Sequence, residues 1–241
     1  MGNIYFISDV HLGAQASKTE KVKTRRLLSF FDHVGQYGDR LIIVGDLFDF
    51  WFEYRSVIPK GYSKIFCGLS FLQDLGKEVD YIAGNHDFWM KNYLSQEFGV
   101  NLYFDQLELK INQKNFFIFH GDGISKNDKG YRLLKRIFRN RFNIFLYSLL
   151  HPDLGVPLAK WVSSLSRNHT GSQGPPDDTD YVQFALKKFE EGFDYVVCGH
   201  LHSPRMQPFG QKVYMNLGDW IDHFTYAEFD GENLSLQSWS G

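Results

Sequence analysis

The chain has 241 residues, is 43% hydrophobic and 22% charged, and carries a net charge of −2. That length suits one globular domain, or one domain with an insertion, and the near-neutral balance excludes a bulk electrostatic nucleic-acid binder. No uninterrupted apolar stretch is long enough to span a bilayer. Aromatics reach 17%, with 23 Phe, enough for a large core and a ligand pocket. The N-terminal MGNIYFISDV lacks a basic region and a long apolar run, so no secretory signal is expected. Met1-Gly2 is followed by Phe6 where a myristoylation signal wants Ser or Thr. Cys67 and Cys198 both stand beside apolar residues. Buried, reduced thiols and a reducing compartment are expected.

In chain order, Ile4-Tyr5-Phe6-Ile7 predicts a short buried strand running into Ser8-Asp9-Val10-His11. Residues 18–34 have helical spacing, with Leu27, Leu28, Phe30 and Phe31 on the apolar side. A second strand, 40–44, ends in Gly45-Asp46-Leu47-Phe48-Asp49. A helix over 64–75 leads to a third strand, 78–82, which enters Ala83-Gly84-Asn85-His86-Asp87. Runs at 107–111 and 115–119 predict a hairpin turned by Asn112-Gln113-Lys114. Its second strand ends in His120-Gly121-Asp122. The stretch 170–176, TGSQGPP, reads as a loop, and a helix is expected to start near Asp178. A strand over 194–198 ends in Gly199-His200-Leu201-His202, and strands at 212–216, 225–229 and 234–239 follow. No internal repeat is present.

Five strands thus end in residues of ligand type: Asp9/His11, Asp46/Asp49, Asn85/His86/Asp87, His120/Asp122 and His200/His202. In α/β sheets, sites form beyond the carboxyl ends of strands, so the five clusters are expected to converge. Each motif alone has a plainer explanation: Gly-Asp is often a turn or cap, and Gly-Asn-His-Asp a tight Asx turn. Their joint occurrence decides, because five of the nine histidines fall in these clusters. Carboxylate, amide and imidazole ligands suit Mn, Fe or Zn ions, and about seven are too many for one tetrahedral ion. Two ions with a shared bridge fit, with Asp46 as the bridge, its charge at the core's mouth stabilised by cations. His33, His151, His169 and His223 are expected on the surface or in pockets.

The five motifs resemble those of the calcineurin-like metallophosphoesterases, over nearly the whole chain. The resemblance implies a four-layer α/β/β/α sandwich with two divalent metal ions, Mn2+ being the expected species. It further implies that Asp9, His11, Asp46 and His202 hold one ion and Asp46, Asn85, His120 and His200 the other. His86 would sit beside the phosphate as the catalytic residue, with Asp87 orienting it. No lysine-bearing glycine-rich phosphate loop is present, which argues against nucleotide-driven phosphoryl transfer.

The substrate is left open by these motifs, and the segment 125–170 is the informative part. Its nine basic residues against two acids give +7, leaving −9 for the rest of a −2 chain. Apolar residues such as Leu133, Phe138, Phe142 and Leu149 interleave with the basic ones, predicting two or three amphipathic helices within an insertion at 124–172. Such helices favour an anionic membrane surface or an acyl ligand. The plainer reading is a lid packed on the core with its basic residues solvated. Base-stacking aromatic platforms are not identifiable, so no nucleic-acid partner is expected.

Insertion and motifs together are similar to the UDP-2,3-diacylglucosamine diphosphatases of lipid A synthesis. Asp128 and Tyr131 match that family's Asp and Tyr at the start of its lid. Ser166-Arg167-Asn168 resembles its Ser-Lys stretch, and Leu217-Gly218-Asp219-Trp220 its Leu-Gly-x-Trp. The resemblance implies Asp128, Tyr131, Ser166 and Arg167 as substrate-binding residues and a nucleotide-linked acylated sugar as substrate. It also implies a place on the cytoplasmic face of the inner membrane; no protein partner is evident. Two departures stand out: His86 replaces the Arg of the best-known branch, and Phe52-Glu53-Tyr54-Arg55 is less acidic than its counterpart. A soluble metallophosphodiesterase or nucleotide phosphatase acting on a small substrate is the alternative.

Overall fold

The computed structural model describes residues 2–125, 129–159 and 177–241. The first half contains β1 (Asn3–Ile7), α1 (Ser17–Tyr37), β2 (Gly38–Val44), α2 (Ser63–Asp74), β3 (Glu78–Ile82), α3 (Tyr93–Phe98), β4 (Asn101–Tyr103), β5 (Gln106–Ile111) and β6 (Lys114–Phe119). Three helices follow: α4 (Lys129–Phe138), α5 (Arg141–Ser148) and α6 (152–159). The chain ends with α7 (Thr179–Glu190), β7 (Tyr195–Cys198), β8 (Arg205–Phe209), β9 (Lys212–Asn216), β10 (Thr225–Phe229) and β11 (Leu234–Ser238).

Two sheets result, in the orders β11-β10-β1-β2-β3-β4 and β5-β6-β7-β9-β8. β1 to β4 pair in parallel, as do β6-β7 and β7-β9. Strand alternation distributes side chains to three apolar layers. Ile4, Phe6, Ile42 and Val44 pack against Phe116, Ile118, Val197 and Met215, so the two sheets face each other. On the opposite faces, Tyr5, Ile7, Leu41 and Ile43 meet Leu27, Phe31 and Leu69 of α1 and α2. Phe117, Val196 and Tyr214 meet Tyr181, Ala185 and Phe189 of α7. The order is therefore helix, sheet, sheet, helix, as expected. Strands buried on both faces read as unbroken apolar runs, and this is why β1, β2, β3, β6 and β7 were legible.

The short elements were not. α3, β4 and β8 had no counterpart among the predicted elements. β4 has three residues, and β8 is a largely exposed edge strand carrying Pro208, a position where Pro is tolerated. The hairpin between β5 and β6 turns on Asn112 and Gln113, both with positive φ (45° and 67°), the backbone of a two-residue type I′ turn. Cys198 is buried as expected, but Cys67 is exposed. The buried stripe of α2 is Ile65, Gly68, Leu69 and Leu72; Cys67 lies off it.

Between 124 and 172 the described residues include the three helices α4, α5 and α6. α4 and α5 leave Leu133, Phe142 and Leu149 60%, 65% and 67% exposed, so these helices do not bury their apolar residues in the core. Among the described residues, no helix is long and apolar enough to cross a membrane.

Candidate metal centre

The loops after β1 and β2 are zipped together by backbone bonds. His11 N donates to Asp46 O (2.9 Å), Leu12 N to Leu47 O (2.9 Å) and Asp49 N to Leu12 O (3.0 Å). Gly199 N donates to His120 O (2.9 Å), and Trp51 N to His86 O (3.2 Å), bringing the other three loops to the same end of the sandwich. The loops are sharply bent. Asp9, His11, Asp46, His200 and His202 all have positive φ, between 47° and 70°. Each such residue costs on the order of 1–3 kcal/mol, a strain that clusters at functional sites. Two glycines make the close approach possible. A Cβ on Gly84 would lie 2.1 Å from Asp46 Oδ1; one on Gly45 (φ +82°) would lie 2.3 Å from His120 Nδ1.

Both key carboxylates divide their oxygens in the same way. Asp46 Oδ1 accepts from His86 N (2.8 Å), while Oδ2 lies 3.7 Å from His11 Nε2 and 3.3 Å from His120 Nε2. Asp9 Oδ2 accepts from Ser8 Oγ and His200 N (2.8 Å). Asp9 Oδ1 is buried without a hydrogen-bond partner, 3.5 Å from His11 Nε2 and 3.1 Å from His202 Nε2. One oxygen is anchored by backbone; the other faces imidazole. The facing nitrogens also meet one another: His11 Nε2 is 3.2 Å from His202 Nε2, and His120 Nε2 is 3.1 Å from Asn85 Oδ1. His120 Nδ1 lies 3.0 Å from Val44 O and donates there, so loss of the Nε2 proton leaves the tautomer a metal ligand needs.

Three groups have ligand atoms mutually within 4.8 Å: Asp9/His11/His202, Asp46/His120/His200 and His11/Asp46/His86. The first two each bring together three of the four residues expected for one ion; Asp46 is absent from the first and Asn85 from the second. Asp46 belongs to the second, and its Oδ2 also faces His11 of the first.

The electrostatics call for a cation. Burial opposes the charge on Asp9, yet His202, His11 and His120 hold its pKa well below the usual carboxylate range. Asp46 is likewise depressed against burial, chiefly by His120 and His86. Burial also opposes protonation of His11, but Asp49, Asp9 and Asp46 push it up to about 10. His120 is raised well above its ordinary value against burial, chiefly by Asp46. Buried carboxylates are thus neutralised by imidazolium protons, a role a divalent ion fills with the same donors. His200 is pushed down to about 4, by burial and then by His120, leaving its imidazole neutral.

His86 stands beside this cluster, its ring 4.7 Å from that of His11 and perpendicular to it. Its Nδ1 lies 2.9 Å from Asp49 O and 3.8 Å from Asp49 Oδ1. Here the expected role of Asp87 needs correction. Asp87 Oδ1 accepts from Gly84 N (2.8 Å), and Oδ2 accepts from the Tyr81 hydroxyl and Phe48 N (3.3 Å). Asp87 therefore braces the loop from within the core, and Asp49 orients His86. Asp49 also places Oδ1 3.7 Å from His11 Nδ1. Its presence at a strand end was visible in the sequence, but its role was not.

Lys23 was missed altogether. This buried side chain donates to His11 O (2.8 Å) and pairs with Glu20 (2.6 Å), whose other oxygen accepts from Gly13 N (2.6 Å). It reads as an ordinary helical lysine, and nothing local marks it. Of the expected substrate-binding residues, Asp128, Ser166 and Arg167 lie outside the described residues. Tyr131 lies on α4, and its side chain is also outside them.

The family model for calcineurin-like phosphoesterases matches residues 2–204. A UDP-2,3-diacylglucosamine hydrolase of Porphyromonas gingivalis is 32% identical over 253 residues, covering 98% of this chain and 97% of the relative. Hydrolases of the same name from Haemophilus influenzae and Proteus mirabilis are 26% and 28% identical, each covering at least 93% of both chains.

Proposed function

The chain belongs to the calcineurin-like phosphoesterase family, and from that premise we propose that it hydrolyses the pyrophosphate of UDP-2,3-diacylglucosamine to UMP and 2,3-diacylglucosamine 1-phosphate. The observation that carries this reading is the pairing of a carboxylate–imidazole centre with helices that keep apolar side chains in solvent. Leu133, Phe142 and Leu149 are exposed within a segment rich in Lys and Arg. A substrate with two phosphates and two acyl chains meets both features. The near full-length likeness to hydrolases of that name supports the same reading.

Two divalent ions, with Mn2+ as the species, would be held by Asp9, His11, Asp46 and His202 on one side and by Asp46, Asn85, His120 and His200 on the other. Bound there, they supply Lewis-acid charge to the phosphate oxygens and lower the pKa of a water. The chain's own residues do the rest. Asp46 Oδ1, tied to His86 N, keeps the phosphate-side histidine in register with the ligand cluster. Asp49 O holds His86 Nδ1, leaving Nε2 as the nitrogen that serves the leaving oxygen. Burial lowers the pKa of His86, and an incoming anionic pyrophosphate favours its protonated form. The imidazolium then donates a proton as the UMP bond to the bridging oxygen breaks. Asp128, Tyr131, Ser166 and Arg167 are the residues assigned to substrate. Those helices are assigned to the cytoplasmic surface of the inner membrane, where basic and apolar side chains act together.

Cleavage of two substrates with Mn2+ tests this. Metal-dependent release of UMP from UDP-2,3-diacylglucosamine in mild detergent is expected, with none from UDP-N-acetylglucosamine and none from Asp46→Ala. His86→Ala is expected to lose on the order of 10²–10⁴ in kcat, the contribution of a positioned acid. Equal turnover of both substrates, or of neither, overturns the reading in favour of a small-substrate phosphodiesterase.

A further inference from the structure

Trp89 stands three residues after His86, and it touches both α4 and α5. Its indole Nε1 donates to Phe138 O (3.0 Å), one of the last carbonyls of α4, which have no acceptor role within the helix. Its ring stacks on Tyr147 of α5, with centroids 5.2 Å apart and planes 24° from parallel. Phe52 closes the cluster, 5.4 Å from Trp89 and 4.7 Å from Tyr147. The Tyr147 hydroxyl continues to α6 by donating to Gly155 O (2.6 Å).

The backbone of Trp89 belongs to the ladder that carries the catalytic loop. Phe52 and Trp89 form a parallel bridge, Glu53 N donates to Trp89 O (3.2 Å), and Trp51 N donates to His86 O (3.2 Å). The buried Glu53 carboxylate clamps the far side of the same loop through Asn92 N (3.0 Å) and Tyr93 N (3.3 Å). Trp89 therefore joins the loop of His86 to both α4 and α5, beside a lesser contact of Arg139 over the Phe88 ring.

We propose that Trp89 is a positioning residue: it seats α4 to α6 on the loop of His86 and so sets the selectivity of the site for substrates that also contact those helices. The seat stands on geometry alone; the selectivity arm rests on the function proposed above.

Hydrogen exchange of the full chain tests the seat. Trp89→Ala and Tyr147→Ala are each expected to speed exchange of the 141–148 amides by roughly tenfold, and the double variant by little more than either alone, as for directly coupled neighbours. Trp89→Phe keeps the ring and loses the donor, so it falls between. Amides of β2 and β3 stay at wild-type rates, which a general loss of stability would not allow. In the kinetic arm, Trp89→Ala is expected to lower kcat/KM for UDP-2,3-diacylglucosamine about tenfold relative to bis(p-nitrophenyl) phosphate, mainly through KM. Wild-type exchange at 141–148 in Trp89→Ala, additive effects in the double variant, or already unprotected 141–148 amides in the wild type would overturn the seat. Equal losses on both substrates overturn the selectivity role. A wild-type protein inactive on the acylated substrate sinks the function instead, and exchange still decides the seat.

Discussion

At the scale of single residues, the centre is governed by how buried carboxylates divide their two oxygens. Asp9 and Asp46 each give one oxygen to a backbone N–H and keep the other for imidazole. Asp49 works one layer out, between His11 and His86. Asp49→Asn keeps the shape and the backbone carbonyl that holds His86, and removes the negative charge beside both rings. A loss of about 10–100-fold in metal affinity or turnover is expected, the usual weight of outer-shell partners; metal titration checks it, and wild-type affinity and turnover would remove Asp49 from the centre. The ligand protons make a second prediction. His11 is pushed up to about 10 and His120 is raised, so both hold protons at neutral pH without metal. Ligation requires neutral imidazole, so metal binding must release those protons. Affinity is then expected to rise with pH through the neutral range towards 10 and to weaken on acidification. Calorimetry in buffers of different ionisation enthalpy reads the proton release directly; a buffer-independent heat would contradict it.

At the scale of elements, what could be read in advance follows burial. β1, β2, β3, β6 and β7 are covered on both faces, and their apolar runs ended where ligand residues began. α3, β4 and β8 are short or exposed, and their patterns are too brief to stand out. The amphipathic character of α4 and α5 was legible, but not which side of them meets water. The structure leaves Phe142 and Leu149 exposed. Phe142→Asp is therefore expected to shift stability by less than about 0.5 kcal/mol, as surface changes do. The same change is expected to abolish sedimentation with anionic phospholipid vesicles. Thermal unfolding and vesicle pelleting read the two effects separately; undiminished pelleting would overturn the proposed membrane role of α5.

For the molecule as a whole, the candidate ligands come from both sheets: Asp9, His11, Asp46 and Asn85 follow β1, β2 and β3, while His120, His200 and His202 follow β6 and β7. The centre exists only if the sheets keep their relation. Phe116 is central to that contact, stacked with Phe6 (6.1 Å) and Tyr195 (4.6 Å) and edge-on to Phe229 (5.0 Å). Phe116→Ala is expected to cost about 3–5 kcal/mol, the range for a fully buried aromatic. Urea unfolding measures it, and a cost below about 1 kcal/mol, outside that range, would mean that the sheets are held elsewhere.

The amino-acid sequence by itself determined which strands are buried, where they end and which ligand types stand at their ends, because alternation and burial are local properties of the chain. It therefore carried the α/β class, the carboxylate, amide and imidazole residues that gather at the strand ends, and the amphipathic character of the stretch after His120. Tertiary structure alone decided that Asp46 Oδ2 faces both His11 and His120, that Asp49 and not Asp87 meets His86 Nδ1, that Lys23 bonds His11 O, and that Trp89 touches both α4 and α5. Most of these contacts join residues tens of positions apart in the chain. Their geometry depends on how two sheets and their loops pack against each other, which no local pattern of residues encodes.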